Sequence, residues 1–426
     1  MQTAKGVRDI LPEQKALKNQ IVTTFQQAFQ LYGFLPLETP IIEKLSTFEA
    51  KGGAGDTSDV FKETFRLTDQ GKRKLALRFD LTVPLARFVA MNPTLKMPFK
   101  RYELGRVFRD GPLKLGRYRE FWQCDADIIG TSSQLADAEC LAVVSEVFNK
   151  LDLEVVIKVN NRKLLTGILS QAGIKKQEEA IIAIDKLGKI GQTGVTKELN
   201  ERGYSKKQID SVFNLIKENV SLATLKKQVT DPTGKEGLDE LQELFNYLKE
   251  LEIKSVKFDV SLARGLAYYT GTVFEVFLKK GKITSSLAGG GRYDNMIGNF
   301  MGGGRQVPAV GLSFCLEPIS DTLQLQEKTV NAGSQVYIVP IKTISGSLQI
   351  ARQLREAGIT TSFSIGKKGV TKNLQYANAL GIPYVIILGP EEVKKNKVLL
   401  RNMKTGEESL LTLKQVIKKL TWKQAH

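Results

Sequence analysis

Glu120-Phe121-Trp122-Gln123-Cys124-Asp125-Ala126-Asp127-Ile128 is the stretch on which the fold turns. It reads as a strand, and strand alternation places Phe121, Gln123, Asp125 and Asp127 on one face, so that a ring, an amide and two carboxylates line one surface. Burying such a row is costly unless water or a ligand meets it. Outward from there, residues 75–79 and 107–109 read as further β-like runs within 34–128, and Gly- and Pro-bearing connections predict an antiparallel sheet. Upstream, residues 13–32 set Leu17, Ile21, Val22, Phe25, Phe29 and Tyr32 at helical spacing, with Gly33 placed as a left-handed C-cap. Downstream, residues 136–151 return to a helical period and 154–159 read as a strand.

Between 163 and 254 the composition shifts to Lys, Glu, Gln and Leu, which predicts a helical insertion. Strand-like text resumes at 256–260 and 272–277 and meets Gly289-Gly290-Gly291, a run that alone suggests a turn more often than a site. A polar stretch at 324–334 reads as a linker. After it, strands at 336–339 and 384–388 alternate with helices at 350–357 and 373–379, the pattern of a small α/β domain with a partly parallel sheet. The expected domains are 1–325, carrying the insertion, and 332–426.

The 426 residues suit two or three domains. An apolar share of 42% and a charged share of 25% are those of a soluble globular chain. No apolar run reaches the ~18 residues of a membrane span and no secretory pattern opens the sequence, so no membrane and a cytoplasmic location are expected. Cys124, Cys140 and Cys315 fit reduced thiols. The single histidine, His426, is the last residue. That excludes Ser-His-Asp and Cys-His catalysis, a Cys/His zinc site and a His-x-Gly-His nucleotide motif, and no P-loop exists either. Chemistry here must run on carboxylates, arginines, tyrosines, backbone groups and a metal ion. The net charge of +17 suits a polyanionic partner. From Ala332 onward 15 Lys/Arg face 5 Asp/Glu, more than half of the excess in under a quarter of the chain.

Four constellations could carry chemistry. Arg109 and Arg117, in the connection before 118–123, can grip phosphate bidentately, with a neighbouring aromatic for base stacking; an ordinary charged hairpin has the same text. In Ser261-Leu262-Ala263-Arg264-Gly265-Leu266-Ala267-Tyr268-Tyr269-Thr270-Gly271, Arg264 lies between small residues, and the adjacent tyrosines project to opposite sides if extended; a tyrosine pair is also commonly core. Ala288-Gly289-Gly290-Gly291-Arg292-Tyr293-Asp294 permits close backbone approach. Arg78-Phe79-Asp80-Leu81-Thr82 gives a carboxylate and a hydroxyl on one strand face, where Asp80 could hold an ammonium or merely cap a turn.

In this order the motifs resemble those of the histidyl-tRNA synthetases, class II aminoacyl-tRNA synthetases, across nearly the whole chain. Gly33-Phe34-Leu35-Pro36-Leu37-Glu38-Thr39-Pro40 resembles the first class motif, whose proline lies at a dimer interface, and 108–130 resembles the second. The Arg264 and Gly289 stretches resemble two segments peculiar to the family, and Lys5-Gly6-Val7-Arg8-Asp9-Ile10-Leu11-Pro12 is typical of it. Residues 336–419 resemble its anticodon-binding domain. The resemblance implies an α+β fold: a class II antiparallel sheet flanked by helices, a helical insertion and a C-terminal α/β anticodon-binding domain. It implies ATP-dependent activation of L-histidine to histidyl-adenylate and transfer to the 3′ end of tRNA(His), with Mg2+ on the leaving pyrophosphate, in a homodimer.

By that likeness Asp80, Leu81 and Thr82 take the amino group of histidine, and Gln123, Asp127, Tyr268 and Tyr269 complete its pocket. Arg109 grips the α-phosphate, Phe121 stacks adenine, Arg264 stabilises the transition state from the other side, and Arg117 and Glu317 belong to the ATP set. Three positions depart from the family pattern. Pro318 replaces the third-motif arginine that holds the γ-phosphate, Ala267 stands where aspartate is usual, and Asp80 where many members have glutamate. Arg117 is the expected compensation for Pro318. The competing expectation is a non-catalytic, synthetase-like regulatory subunit of ATP phosphoribosyltransferase, although such proteins usually lack the anticodon domain and an intact arginine-tyrosine motif.

Overall fold

The computed structural model describes residues 1–49, 62–113, 116–217, 219–264, 268–302, 304–326, 333–366 and 369–422. Two compact units form, Met1–Asp9 with Lys18–Lys328 and Ile10–Leu17 with Thr329–His426.

Along the chain come helix α1 (Pro12–Leu31), strands β1 (Leu35–Pro36) and β2 (Ile42–Lys44), helix α2 (Leu45–Glu49), strands β3 (Arg66–Thr68) and β4 (Lys74–Leu77) and helix α3 (Thr82–Met91). The long antiparallel hairpin of β5 (Phe99–Phe108) and β6 (Glu120–Ile129) follows, then helix α4 (Gln134–Lys150) and β7 (Val155–Asn161). Six helices fill the next segment: α5 (Arg162–Gln171), α6 (Gln177–Ile184), α7 (Leu187–Glu201), α8 (Lys206–Leu215), α9 (Leu222–Gln228) and α10 (Pro232–Glu250). The unit closes with β8 (Val256–Phe258), β9 (Thr272–Leu278), β10 (Ala288–Arg292), α11 (Met296–Met301), β11 (Ala309–Cys315) and α12 (Leu316–Leu325).

Eight of these strands make one sheet in the order β1-β5-β6-β11-β10-β9-β7-β8. The outer joins β1–β5 and β7–β8 are parallel, and the joins between them antiparallel. One face is apolar. The predicted stripe of α1 delivers Phe25 flat onto Phe314 of β11, ring centroids 4.7 Å apart, and Phe29 onto Tyr102 of β5 at 5.3 Å. Phe148 of α4 closes on Phe314 at 5.8 Å. Gly33, at φ +74°, turns the chain out of α1 as its position predicts. The other face is polar: Arg101, Glu103 and Gly105 of β5 lie across from Asp127, Asp125 and Gln123 of β6, which pair onward with Gly311, Ser313 and Cys315 of β11.

Two local expectations are corrected. Residues 78–82 do not form a strand face, because β4 ends at Leu77 and Thr82 begins α3, whose first turn tolerates Pro84 since no N–H is needed there. Asp80 caps that turn by accepting the Val83 N–H at 3.1 Å. The glycine run is a buried central strand rather than a turn, because neighbouring backbone leaves no volume for side chains: a Cβ on Gly290 would lie 2.1 Å from the Gly311 carbonyl oxygen.

The second unit carries β12 (Val336–Pro340), α13 (Ile344–Glu356), β13 (Thr361–Phe363), α14 (Val370–Ala379), β14 (Tyr384–Leu388), α15 (Pro390–Lys394), β15 (Val398–Asn402), β16 (Glu408–Leu411) and α16 (Leu413–Trp422). Its sheet runs β13-β12-β14-β15-β16, parallel over the first three strands and antiparallel beyond. Val336, Ile338, Leu354, Ile386 and Val416 are buried in its core. Within the stretch expected as a linker, Gln324 and Leu325 end α12, and 327–332 lie outside the described residues.

Candidate active site

The polar face of the eight-stranded sheet is built around Arg101, which is fully buried. Its Nη2 meets Asp127 Oδ2 at 2.8 Å and its Nη1 lies 3.8 Å from Glu103 Oε2. Burial works against the Arg101 charge, but Asp127, Glu103 and Asp125 outweigh it and push the pKa up. Glu103 is fixed in turn by Arg78 at 2.8 Å and by the Thr39 backbone N–H and hydroxyl at 2.9 Å each. Tyr293 donates its hydroxyl to Asp127 Oδ1 at 2.5 Å. Asp127 can lie flat on the sheet because β11 has glycine beneath it: a Cβ on Gly311 would stand 1.9 Å from Asp127 Oδ1.

Beside Glu103, three further buried carboxyls gather on this surface, Asp80, Asp125 and Asp127. Burial raises these three; Asp80 reaches about 6 against the pull of the Val83 N–H, Arg109 and Arg101, and Asp125 about 8 against Arg101. Asp125 Oδ1 and Gln123 Oε1 are buried with no hydrogen-bond partner. An unmet buried acceptor costs ~1–3 kcal/mol. Two side by side mark a surface shaped for a ligand that brings N–H donors.

Arg109 and Arg264 come to this face from remote segments. Arg109 is held by its Nε donating to the Phe79 carbonyl at 2.9 Å, with its guanidinium 5.0 Å from the Phe121 ring centroid. Arg264 lies over the Tyr269 ring at 5.4 Å, with Glu275 at 3.8 Å and the Phe274 carbonyl at 3.4 Å. Glycine again gives the room, since a Cβ on Gly289 would be 2.4 Å from Arg264 Nη1. Both guanidiniums act on the Cys315 thiol, which burial drives up to about 11 and which Arg109 and then Arg264 pull back. Two cations thus stand on the face that carries the carboxyl group, Arg109 beside the Phe121 ring and Arg264 over Gly289. That is the geometry for charge developing on a phosphoryl group.

Tyr268 and Tyr269 do not project to opposite sides as extended residues would. Tyr268 sits in a turn, and their rings pack at 4.7 Å, with Tyr268 edge-on to Tyr293 at 6.4 Å. Leu81 is wholly buried; its carbonyl accepts from Arg101 at 3.4 Å, so its part in any site is through its backbone. Thr82 is half-buried at the start of α3. Arg117 pairs with Glu63 at 2.9 Å. The preceding residue, Gly116, lies beside Pro318, since a Cβ there would be 3.6 Å from Pro318 Cγ. Glu317 is tied down by two partners, with Oε1 on Lys18 at 2.9 Å and Oε2 accepting the Trp122 N–H at 3.1 Å. Ala267 lies outside the described residues.

Sequence reasoning set Arg101, Glu103 and Ser313 nowhere and left Tyr293 and Asp125 without a role. The alternation Arg101-x-Glu103-x-Gly105 was the available signal, in register with the carboxylate row of β6.

Known proteins resemble this chain in sequence and in fold. The family model described as histidyl-tRNA synthetase matches residues 6–319, and the one described as anticodon binding domain matches 335–423. A histidine–tRNA ligase of Bacillus cereus is 45% identical over 96% of this chain and 96% of its own length. One of Clostridium tetani is 37% identical over 97% and 96%. The crystal structure of a histidyl-tRNA synthetase from Nostoc superposes with a TM-score of 0.87 at 30% identity, covering 98% of this chain and 99% of that one. With both matches spanning the two units and relatives matched end to end, the chain belongs to the histidyl-tRNA synthetase family.

Proposed function

We propose that this chain is a histidine–tRNA ligase, activating L-histidine with ATP to histidyl-adenylate and passing the histidyl group to the 3′ end of tRNA(His). The observation that carries the reading is the placing of Arg109, against the Phe79 carbonyl and the Phe121 ring, and of Arg264, over Gly289, on the sheet face that holds Gln123, Asp125 and Asp127. In the reaction the carboxylate oxygen of histidine forms a bond to the α-phosphorus of ATP as the bond to the pyrophosphate oxygen breaks. Arg109 and Arg264 meet the added negative charge from two sides with little reorganisation.

Asp80, with the Leu81 backbone and Thr82, receives the ammonium; Gln123 and Asp127 receive the remaining N–H groups, walled by Tyr268 and Tyr269. Phe121 offers a face to adenine. Glu317 acts on the ATP side through its grip on the Trp122 N–H, which holds the start of β6 in place. Mg2+ enters with ATP on the phosphate oxygens, and among the described residues no cluster of three carboxylate, thiol or imidazole groups suits a resident metal. Arg117, one residue after the Gly116 that lies beside Pro318, supplies the cation that the missing third-motif arginine would have brought. Replacing it, Arg117→Ala, raises the Michaelis constant for ATP about tenfold.

The basic second unit contacts tRNA, whose affinity then falls with salt as counterion release requires. The working form is a cytoplasmic homodimer, for which the Pro40 stretch is the interface, and among the described residues no helix is long and apolar enough to cross a membrane. The regulatory-subunit reading is disfavoured by the presence of both arginines and of the 335–423 match. The deciding assay is histidine-dependent exchange of pyrophosphate into ATP: exchange that follows added histidine is expected, and its absence in folded, ATP-saturated protein would overturn the proposal.

A further inference from the structure

Three residues at period two, Lys158 and Asn160 of β7 and Arg162 at the start of α5, reach one and the same segment, Asp259 to Gly271. Strand alternation puts the first two on one face, and Lys158 stands directly across from Glu275, the carboxylate 3.8 Å from Arg264. Lys158 Nζ holds Asp259 Oδ2 at 2.7 Å, and Asp259 Oδ1 accepts the Ser261 N–H at 3.0 Å and its hydroxyl at 2.6 Å. Asn160 is fully buried. Its amide nitrogen donates to the Val260 and Leu262 carbonyls, each at 2.9 Å, while its own Oδ1 has no partner. Arg162 donates from Nη1 to the Arg264 carbonyl at 3.4 Å and from its backbone N–H to the Gly271 carbonyl at 2.7 Å. One strand end thus ties the segment down at both of its ends and at Arg264 between them.

We propose that Lys158, Asn160 and Arg162 are positioning residues that clamp the backbone from which Arg264 reaches over Gly289. The clamp rests on the histidine-activation reading for what Arg264 does there. The guanidinium itself is held loosely: among the described residues its hydrogen bond to the Phe274 carbonyl is 3.4 Å long and its ion pair with Glu275 spans 3.8 Å. A side chain bound so weakly at its tip is aimed by its Cα. The unmet Asn160 Oδ1 costs ~1–3 kcal/mol, which an apolar residue would avoid. What the asparagine adds is a donor for two carbonyls of an irregular segment, on residues that are themselves buried. Because a misplacement of ~1 Å can cost about 10²-fold in rate, loosening this backbone is felt at the reacting phosphorus although the clamp acts only through Arg264.

Pyrophosphate exchange by the full chain tests the clamp in a cycle with Arg264. Asn160→Ser loses the grip on two carbonyls and should cut kcat about twentyfold, with the Michaelis constant for histidine within about twofold of the parent. Lys158→Met should cut kcat about fivefold, whereas Lys158→Arg keeps a cation for Asp259 and should stay within about twofold. The decisive step repeats N160S and K158M in Arg264→Ala. There each should change the residual rate by less than about twofold, because the clamp has no guanidinium left to aim. Additive losses in that background would mean a general structural fault and would overturn the proposal. Should N160S fail to fold, the Lys158 variants carry the same cycle, since that side chain is 40% exposed. Deuterium uptake reads the backbone without turnover: K158M, and N160S where it folds, should speed uptake across 259–264 about tenfold while the rest of the sheet keeps the parent rate. Unchanged uptake would overturn the clamp. If the parent chain shows no histidine-dependent exchange, the activity reading falls and the deuterium result alone decides the clamp.

Discussion

The two faces of the eight-stranded sheet obey different rules. On the face under α1 and α4, Tyr102 and Phe314 meet Phe25, Phe29 and Phe148, and Ala126 and Leu312 are buried beside them in the strands. On the other face, charges are buried with equal completeness, yet Gln123 and Asp125 keep unmet acceptors. The same strands build both, residue by residue in alternation. Stability is concentrated on one face, and on the other the fold retains polar groups that only a ligand can complete.

The largest expected effect breaks the apolar face. Phe314→Ala empties the position against which Phe25 and Phe148 pack, and should lower the unfolding free energy by ~3–5 kcal/mol in denaturant titration. Because Phe314 points away from the carboxyls, the Michaelis constant for histidine in the folded fraction should hardly move. A parallel loss of histidine affinity would show that the two faces are not separable.

The polar face breaks in the opposite sense. Arg264→Ala should cut pyrophosphate exchange by ~10²–10³-fold while denaturant midpoints stay near the parent value, since its nearest anion, Glu275, is 3.8 Å away and contributes little. A smaller effect tests the glycine floor. Gly311→Ala pushes Asp127 off the sheet and out of its bonds with Tyr293 and Arg101, so the histidine Michaelis constant should rise about tenfold with the ATP constant unchanged.

This contrast also explains what the sequence could tell. The apolar face was legible because helix α1 writes it at one period, and the row Phe121-x-Gln123-x-Asp125-x-Asp127 was legible because β6 writes it at another. The first two-thirds of β5 was not: Arg101, Glu103 and Gly105 break every hydrophobic pattern, and the Glu103 carboxylate is satisfied by Arg78 and Thr39, far back in the chain, as Arg101 is by Asp127 on the next strand. Lys18 and Glu317 find each other across 299 positions for the same reason. Residues 78–82 misled because a capped first turn and a strand end share their short text until the Val83 N–H is seen to find Asp80. The Tyr268–Tyr269 packing depends on a turn at Tyr268 that no periodicity announces.

The finest test uses protons. Asp80 stands near 6 and Asp125 near 8, both far above the ordinary 3.8, with burial the main cause, opposed at Asp80 by the Val83 N–H, Arg109 and Arg101 and at Asp125 by Arg101. Between about pH 4 and 8 the empty folded unit therefore keeps protons that the unfolded chain has released, and these groups make its stability fall as pH rises through that window. A cationic ligand reverses the preference, because an ammonium favours the carboxylates. At pH 7 Asp80 is already largely ionised while Asp125 is largely protonated, so histidine binding should expel protons chiefly from Asp125. Calorimetry in two buffers of different ionisation enthalpy should register that release, and histidine affinity should climb from pH 6 toward 8 by up to about tenfold per unit. In Asp125→Asn the release should shrink and the climb flatten, while the apolar face, which carries no titrating group of this kind, leaves the melting temperature's dependence on Phe314 the same at both ends of the range.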